Sequence, residues 1–217
     1  NVCAGVPVPC DPGRGARLMK AINFDLVIVG VGGQGTLLAS KILGRLALNA
    51  GLGVKVSEVH GMSQRGGSVI THVRVGDAVH SPLVSAGNAD YLLSFEALEG
   101  ARAAGYLKPE GILIVNTQRI SPMSVITGAT QYPENPLIVP ELKGKRVEAL
   151  DALQLAENAG SQKAVNLVLL GKLSCHLPFS DEAWQQAIAV SVPRKTLEVN
   201  VRAFESGRTS GLDAMNA

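Results

Sequence analysis

Aromatic side chains are scarce in this chain, and neither sign of charge dominates it. Aromatics make up 4% of the 217 residues, and 20 basic against 18 acidic residues leave a formal net charge of +2. Nucleic-acid-binding proteins usually carry a clustered basic face and aromatic platforms for base stacking, so this composition argues against a nucleic-acid partner. No apolar run approaches the roughly 20 residues that span a bilayer, so no membrane contact is expected either.

Cysteine is scarce as well. The three cysteines, Cys3, Cys10 and Cys175, include no Cys-x-x-Cys pair, which argues against a self-contained zinc or iron–sulfur site. So few thiols suit a reducing compartment, and we expect the chain to be cytoplasmic. What the chain does contain is 46% hydrophobic and only 18% charged residues, which is enough for one sizeable core and argues against disorder.

The N-terminal segment differs in character from the rest of the chain. Residues 1–18 are rich in proline and glycine, show no periodicity and lack the apolar stretch of a secretory signal. We expect residues 1–18 to be a tag, an upstream sequence or a flexible segment that ends before Met19. Residues 19–208 are expected to form a single gamma-type α/β domain with a helical C-terminal part, and residues 209–217 a frayed tail.

Apolar periodicity predicts alternating strands and helices, the pattern of an α/β layered fold. A strand at 26–29, a helix at 36–50 and a strand at 54–59 predict a βαβ unit. Alternation at 68–75, followed by Gly76 and Asp77 at a turn, predicts a hairpin into a strand at 78–81. The other predicted elements are strands at 91–95, 112–115, 137–139 and 147–150, a turn at 108–111, and helices at 96–107, 152–158, 163–175, 181–189 and 193–204. The predicted fold is Rossmann-like, with a mostly parallel sheet, a β-hairpin insertion and C-terminal helices.

A glycine-rich segment, residues 30–35, links the first predicted strand to the first helix and is called the glycine turn below. Its pattern-defining residues are Gly30, Gly32, Gly33, Gln34 and Gly35. In the G-x-G-x-x-G pattern, backbone amides at a helix N-terminus hold a diphosphate. The acid that should follow about 20 residues on is poorly placed, since Glu58 is late and Lys55 stands in its position. The turn therefore binds a dinucleotide, packs a strand closely on a helix, or faces a partner subunit.

A polar loop, residues 60–67, follows the second predicted strand at the edge where α/β proteins bind ligands. Its residues expected to face a ligand or partner are His60, Ser63, Gln64, Arg65, Gly66 and Gly67. Arg65 can pair with a phosphate or a carboxylate, and the amides of Gly66 and Gly67 can form an anion nest. His60 can move protons near neutral pH, but the sequence assigns no firm catalytic residue. The simpler alternative is a hairpin lead-in whose polar groups bind backbone or another chain.

Together these two segments resemble the gamma subunit or domain of the 2-oxoacid:ferredoxin oxidoreductases. The likeness rests on the glycine turn and on Ser-Glu-Val-His-Gly-Met-Ser-Gln-Arg-Gly-Gly-Ser at 57–68. It extends to Val-Arg at 73–74, Ser-Pro-Leu at 81–83, Ala-Asp at 89–90 and Ile-Val-Asn-Thr at 114–117. Within the family the chain is most similar to the small beta subunit of the indolepyruvate ferredoxin oxidoreductases, although the motifs are specific for the superfamily rather than for one oxoacid.

The resemblance implies a subunit of an enzyme that decarboxylates a 2-oxoacid on thiamine diphosphate. Electrons then pass through iron–sulfur clusters to ferredoxin, and the acyl group leaves on coenzyme A as co-substrate. Gly-Asp-Ala at 76–78 departs from the Gly-Asp-Gly of a thiamine site, and three cysteines fall short of the four thiolates of a cluster. Thiamine diphosphate, magnesium and the clusters are therefore expected on a larger partner subunit. This chain, inactive alone, would complete the active site with its glycine turn and polar loop.

Other functions stay open at this point. The chain can instead be the gamma subunit of a pyruvate, 2-oxoglutarate or branched-chain 2-oxoacid enzyme. It can also be a stand-alone dinucleotide-binding protein that uses the glycine turn, or a pure scaffold. The sequence decides neither the stoichiometry of the complex nor whether the isolated chain forms a homodimer.

Overall fold

A six-stranded mixed sheet forms the centre of the protein. The computed structural model describes residues 22–60 and 67–210. The strands are β1 (Phe24–Val31), β2 (Gly53–His60), β3 (Ser68–Gly76), β4 (Ala89–Ser94), β5 (Leu107–Asn116) and β6 (Arg146–Leu150). Their order is β2-β3-β1-β4-β5-β6; β1, β4, β5 and β6 run parallel, and β3 is antiparallel to both of its neighbours. The expected α/β fold class, with a mostly parallel sheet and C-terminal helices, is confirmed.

Seven α-helices accompany the sheet in the described part of the chain. They are α1 (Thr36–Asn49), α2 (Ala97–Arg102), α3 (Met123–Ile126), α4 (Ala152–Asn158), α5 (Val165–Ser174), α6 (Asp181–Ala189) and α7 (Leu197–Thr209). The larger core contains the Leu26 and Ile28 face of β1, the apolar side of α1 and the C-terminal helices. A smaller core on the other face contains Val27 and Val29 of β1. Strand β1 is therefore apolar along its whole length because both of its faces are covered.

Helices α5 and α7 pack against each other unusually closely. All ten residues of α5 are buried, so this helix has no exposed polar face and also encloses polar side chains such as Asn166 and Lys172. A side chain at Gly171 of α5 would place its Cβ 1.9 Å from the Phe204 carbonyl oxygen of α7. A side chain at Gly207 of α7 would likewise approach the Val168 carbonyl oxygen of α5 to 1.9 Å. The two helices thus meet backbone to backbone.

Two expectations about the first half of the sheet are wrong in detail. Strand β2 runs in the direction of β1, but β3 lies between them, so the predicted βαβ unit does not bring its strands side by side. The hairpin joins β2 to β3, and residues 78–81 form no strand. At the start of this segment the Asp77 amide donates to Asn23 Oδ1, and at its end the Ser81 carbonyl accepts from Arg74 Nη1. Because β3 pairs with β1 along one edge and with β2 along the other, it has no free edge to which residues 78–81 could add as a strand.

Differences of the same kind occur in the second half. Helix α2 is shorter than the predicted 96–107, and a single 3-10 turn, Ala104–Tyr106, separates it from β5. The predicted turn at 108–111 lies inside β5, where pairing with β4 jumps from Ala89–Leu107 to Tyr91–Ile112. These four residues are therefore looped out of the ladder as a bulge. The segment 137–139 forms no strand and leads into a 3-10 turn at Pro140–Leu142.

Candidate functional site

The carboxyl edge of the sheet, where β1, β4, β5 and β6 end, is joined by side-chain amides. Gln34 of the glycine turn accepts a hydrogen bond from the Val31 amide at 2.7 Å and donates to the Phe95 carbonyl at 3.0 Å. Asn116, at the end of β5, donates to the same Phe95 carbonyl at 3.2 Å and accepts from the Ala152 amide at 3.1 Å. Two amides therefore connect the ends of all four parallel strands, and we call this row the amide chain.

Gln34 is thus engaged inside this chain. Both polar atoms of its side chain bind backbone groups at strand ends, one in Val31, the last residue of β1, and one in Phe95, which follows β4. The sequence predicted Gln34 as a contact to a ligand or partner, and the geometry gives it a role in shaping the glycine turn. Gly33, by contrast, is exposed at the tip of the turn, and Gly30 is buried at the end of β1.

Gly35 requires a glycine for two independent reasons. Its φ of 88° lies in the left-handed region that favours glycine. A Cβ there would also lie 2.9 Å from Nδ2 of Asn166, the second residue of α5. Asn166 is buried, donates weakly to the Gly35 carbonyl at 3.5 Å and accepts from the Leu167 amide at 3.0 Å. The start of α1 is therefore held against the start of α5.

The end of the polar loop is attached to the glycine turn. The Gly32 amide donates to the Gly67 carbonyl at 2.8 Å, and Ser68 pairs with Val31 in the β1–β3 ladder. The Ser68 hydroxyl donates to Glu99 Oε2 at 2.5 Å. The glycine turn and the return of the polar loop into the sheet consequently form one rigid surface.

Two buried carboxylates lie beneath this surface, at the start of α2. Glu96 is the N-cap and is 1% exposed; its Oε2 accepts from the Glu99 amide at 2.9 Å. Its Oε1 accepts from the Ile120 amide at 3.1 Å and from the Tyr132 hydroxyl at 2.5 Å. Burial, and then the hydrogen bond to Glu96 and its negative charge, raise the pKa of Tyr132. The phenol therefore stays protonated and remains a donor to Glu96.

Sequence reasoning gave no role to these supporting residues. The sequence pattern places Glu96 and Glu99 only in a predicted helix, and Asn116 only in the Ile-Val-Asn-Thr string at 114–117 that carries part of the family resemblance. One local signal existed, because Glu96 and Glu99 have the spacing at which an N-cap side chain binds the amide three residues on. The long-range partners Tyr132 and Asn166 carry no such signal.

Several predicted site residues fall outside the described residues. Ser63, Gln64, Arg65 and Gly66 belong to 61–66, and the side chain of His60 is likewise outside what the structure describes. Gly67 is half-buried and bonded as given above. Within 22–60 and 67–210, no group of three or more potential metal-ligating side chains comes together. In that same part of the chain, no helix is long and apolar enough to cross a membrane.

The geometry bears on the dinucleotide alternative. Because β3 lies between β1 and β2, the end of β2 lies two strand spacings, about 10 Å, from β1 rather than one. An acid on β2 is therefore too far for the ribose of a nucleotide seated on the glycine turn. Glu58 also accepts from the Thr71 hydroxyl at 3.2 Å, and the Val31 and Gly32 amides are engaged within the chain. A diphosphate would have to displace these bonds.

A shallow groove lies at the opposite, amino-terminal edge of the sheet. It has a volume of about 320 Å³ and is lined in part by Asp25, Arg74 and Lys108. Its charges pair with each other: Arg74 Nε lies 2.8 Å from Asp25 Oδ1, and Lys108 Nζ lies 2.6 Å from Asp90 Oδ1. This self-neutralised groove is remote from the glycine turn, so we place the candidate site at the carboxyl edge.

Comparison with known proteins identifies the family. A family profile described as pyruvate ferredoxin/flavodoxin oxidoreductase matches residues 25–210. The chain belongs to this family. The family resemblance seen in the glycine turn and the polar loop is thereby confirmed. The matched range contains all six strands, apart from Phe24 at the start of β1.

Individual members of the pyruvate ferredoxin/flavodoxin oxidoreductase family match nearly the whole chain. The indolepyruvate oxidoreductase subunit IorB of Thermococcus kodakarensis is 47% identical over 190 residues, which cover 85% of this chain and 94% of that protein. The 2-oxoglutarate synthase subunit KorC of Methanothermobacter thermautotrophicus is 30% identical over 193 residues, which cover 88% and 96%. The gamma subunit of a keto/oxoacid ferredoxin oxidoreductase from Geobacter sulfurreducens has the same fold, with a TM-score of 0.64 at 24% identity and coverage of 88% and 99%.

Proposed function

We propose that this chain is the small subunit of a 2-oxoacid:ferredoxin oxidoreductase that acts on indolepyruvate and related arylpyruvates. The observation that carries the proposal is the contrast in identity across nearly full-length relatives. The chain is 47% identical to an indolepyruvate oxidoreductase subunit and 30% identical to a 2-oxoglutarate synthase subunit. The runner-up is the equivalent subunit of a pyruvate, 2-oxoglutarate or branched-chain 2-oxoacid enzyme.

The residues of this chain do not fit the cofactors of such an enzyme. Asp77, the nearest match to the magnesium-binding aspartate of a thiamine site, is exposed at the amino-terminal edge, and its amide is bound by Asn23. Three cysteines cannot supply the four thiolates of a cluster. We therefore assign thiamine diphosphate, magnesium and the iron–sulfur clusters to a larger subunit, and derive no chemical step on this chain.

The work left for this chain is assembly and completion of the active site. The carboxyl edge offers the exposed tip of the glycine turn beside the end of the polar loop, on a backbone held rigid by the amide chain. Such a surface orients groups and excludes water while the cofactors of the partner carry the chemistry. In the cytoplasmic complex, His60, Ser63, Gln64, Arg65 and the glycines of both segments face the partner, the oxoacid or coenzyme A.

The direct test is co-expression with candidate large subunits, followed by ferredoxin- or viologen-coupled assays. Turnover is expected only in the complex, and it should be fastest with arylpyruvates when coenzyme A is present. Fastest turnover with pyruvate or 2-oxoglutarate would keep the family and replace the substrate. A lone chain that binds a flavin or nicotinamide cofactor and no large subunit would contradict the proposal.

Arg65→Ala tests the role of the polar loop. Loss of a charge-assisted hydrogen bond to a carboxylate or phosphate costs about 1.5–3 kcal/mol, so coupled turnover or affinity for the large subunit should fall by about tenfold or more. Arg194→Ala is the matched control, because Arg194 is exposed in the turn before α7. Equal turnover and equal co-purification for Arg65→Ala and the wild type would remove the loop from the proposal.

A further inference from the structure

We propose that Glu96 and Glu99 are positioning residues for the active site that this subunit completes, an inference that rests on the proposed function. Both lie at the start of α2, Glu96 as its N-cap and Glu99 in its first turn. Glu99 holds the point at which the polar loop re-enters the sheet, and Glu96 holds the segment 118–132. Both segments contact the start of α2, one through Ser68 and the other through Ile120 and Tyr132.

The contact between Glu99 and Ser68 carries the first half of the argument. Glu99 is 6% exposed, and its two oxygens bind different groups. Oε2 accepts from the Ser68 hydroxyl at 2.5 Å, and Oε1 accepts from Arg102 Nη1 at 2.6 Å. Ser68 itself is exposed, so its hydroxyl fills no cavity. The described hydrogen bond of its side chain attaches Ser68, the first residue of β3, to Glu99 in α2.

The contacts of Glu96 carry the second half. A buried carboxylate is costly unless donors surround it, and Glu96 takes its donors from three places in the chain. They are the Glu99 amide at 2.9 Å, the Ile120 amide at 3.1 Å and the Tyr132 hydroxyl at 2.5 Å. The last two donors come from the segment that follows β5, which also contacts α2 through the Ala97 amide and the Gln118 carbonyl at 3.3 Å. Glu96 is thus one of the groups that hold this segment, and it binds the segment at two points.

A shared element links the two arms. The Glu99 amide binds Glu96, and the Glu99 side chain binds Ser68. The start of β3 and the segment 118–132 are therefore both attached to the first turn of α2. The adjacent Ser94 hydroxyl donates to the Glu96 carbonyl at 2.6 Å and fixes that turn to β4. A displacement of Ser68 or Tyr132 thus changes the shape of the edge without opening the core.

Ser68→Ala is the informative variant, because it removes one hydroxyl from an exposed residue. Ser68→Thr restores the hydroxyl with a side chain that favours a strand. Ser206→Ala is the matched control: its hydroxyl, on α7, donates to the Arg202 carbonyl at 2.9 Å. Each variant is combined with the large subunit, and kcat, the KM for the oxoacid and complex formation are measured alongside the melting temperature of the lone chain.

Ser68→Ala is expected to lower kcat by about tenfold in a complex that still forms, when the assay is run well below the melting temperature. The lost bond to the Glu99 carboxylate should lower the melting temperature of the lone chain by about 5 °C, and Ser68→Thr should recover most of both losses. Tyr132→Phe, which removes a donor from Glu96, should lower kcat in the same way. This inference is overturned if Ser68→Ala and Tyr132→Phe both have the kcat and KM of the wild type. If Arg65→Ala is defective in the same assays, the proposed function still stands. An equal loss in Ser206→Ala would also overturn it. Failure of the wild-type chain to join any large subunit would overturn both.

Discussion

Replacement of Gln34 tests whether the amide chain holds the carboxyl edge together. Gln34→Ala removes the acceptor of the Val31 amide at 2.7 Å and a donor to the Phe95 carbonyl at 3.0 Å. Two hydrogen bonds at about 1 kcal/mol each, plus one amide left unpaired in the 8%-exposed Val31, predict a loss of about 3 kcal/mol. In a domain of this size that loss corresponds to a fall of about 10 °C in melting temperature.

The assay is thermal and urea unfolding of the lone chain, followed by circular dichroism. Gln34→Met keeps the volume of the side chain and removes both hydrogen bonds, so it separates bonding from packing and should lose nearly as much as Gln34→Ala. Gln154→Ala is the control: this exposed amide on α4 bonds only locally, to the Asn158 side chain and, through its backbone, to Asp151, and should change stability by less than about 0.5 kcal/mol.

The reasoning is refuted if Gln34→Ala and Gln34→Met unfold within about 0.5 kcal/mol of the wild type. In that case the Val31 amide and the Phe95 carbonyl form other hydrogen bonds, and Gln34 is again expected to contact a ligand or the partner subunit directly. A large loss in Gln34→Ala with none in Gln34→Met would assign the effect to packing alone.

Three further predictions concern helix packing, helix propensity and the pH dependence of stability. Gly171→Ala forces a Cβ against the Phe204 carbonyl, so α5 and α7 must separate, and urea unfolding should show a loss of about 3 kcal/mol. Gly44→Ala, with nothing within 4 Å of its Cβ in α1, should instead gain about 0.5–1 kcal/mol. Burial lowers the pKa of His72 below 6.5, and protonation would break its bond from the Val84 amide. The unfolded chain therefore binds the proton first, so stability falls as the pH drops below about 6.5, by at most about 1.4 kcal/mol per unit; His72→Asn should lose that part of the slope in urea titrations.

Local signals in the sequence predicted the elements that local forces decide. The helix expected at 181–189 is α6, and Ser180 caps it by accepting from the Ala183 amide at 3.3 Å. The helix expected at 152–158 is α4, capped by Asp151 through the Gln154 amide. In both cases the cap and the apolar period lie within one turn of each other, so nothing distant is needed to place the helix.

Strand order could not be derived in the same way. The valine-rich alternation at 68–75 announces a strand, but nothing in it tells which strands pair with its two edges. The expected βαβ unit assumed that β2 would lie beside β1, whereas β3 occupies that position. Strand order depends on the whole sheet, because the hydrogen bonds along both edges of β3 and the burial of both faces of β1 must be achieved in one arrangement.

The candidate site divides along the same line. The glycine turn was recognised because its spacing and its position between β1 and α1 are local properties. Its supports were missed, because Gln34 and Phe95 are 61 residues apart and Glu96 and Tyr132 are 36 residues apart. The sequence around an amide side chain such as Gln34 or Asn116 does not tell whether that side chain faces solvent or binds the backbone at the ends of neighbouring strands.

The contact between Gly35 and Asn166 has a consequence for biosynthesis. The two residues are 131 positions apart, so this contact between the starts of α1 and α5 forms only after α5 has emerged from the ribosome. Contacts of such long range form late in folding, after the local turns and hairpins. On the proposed function, a large subunit that binds the carboxyl edge meets the completed surface only after α5 has been made.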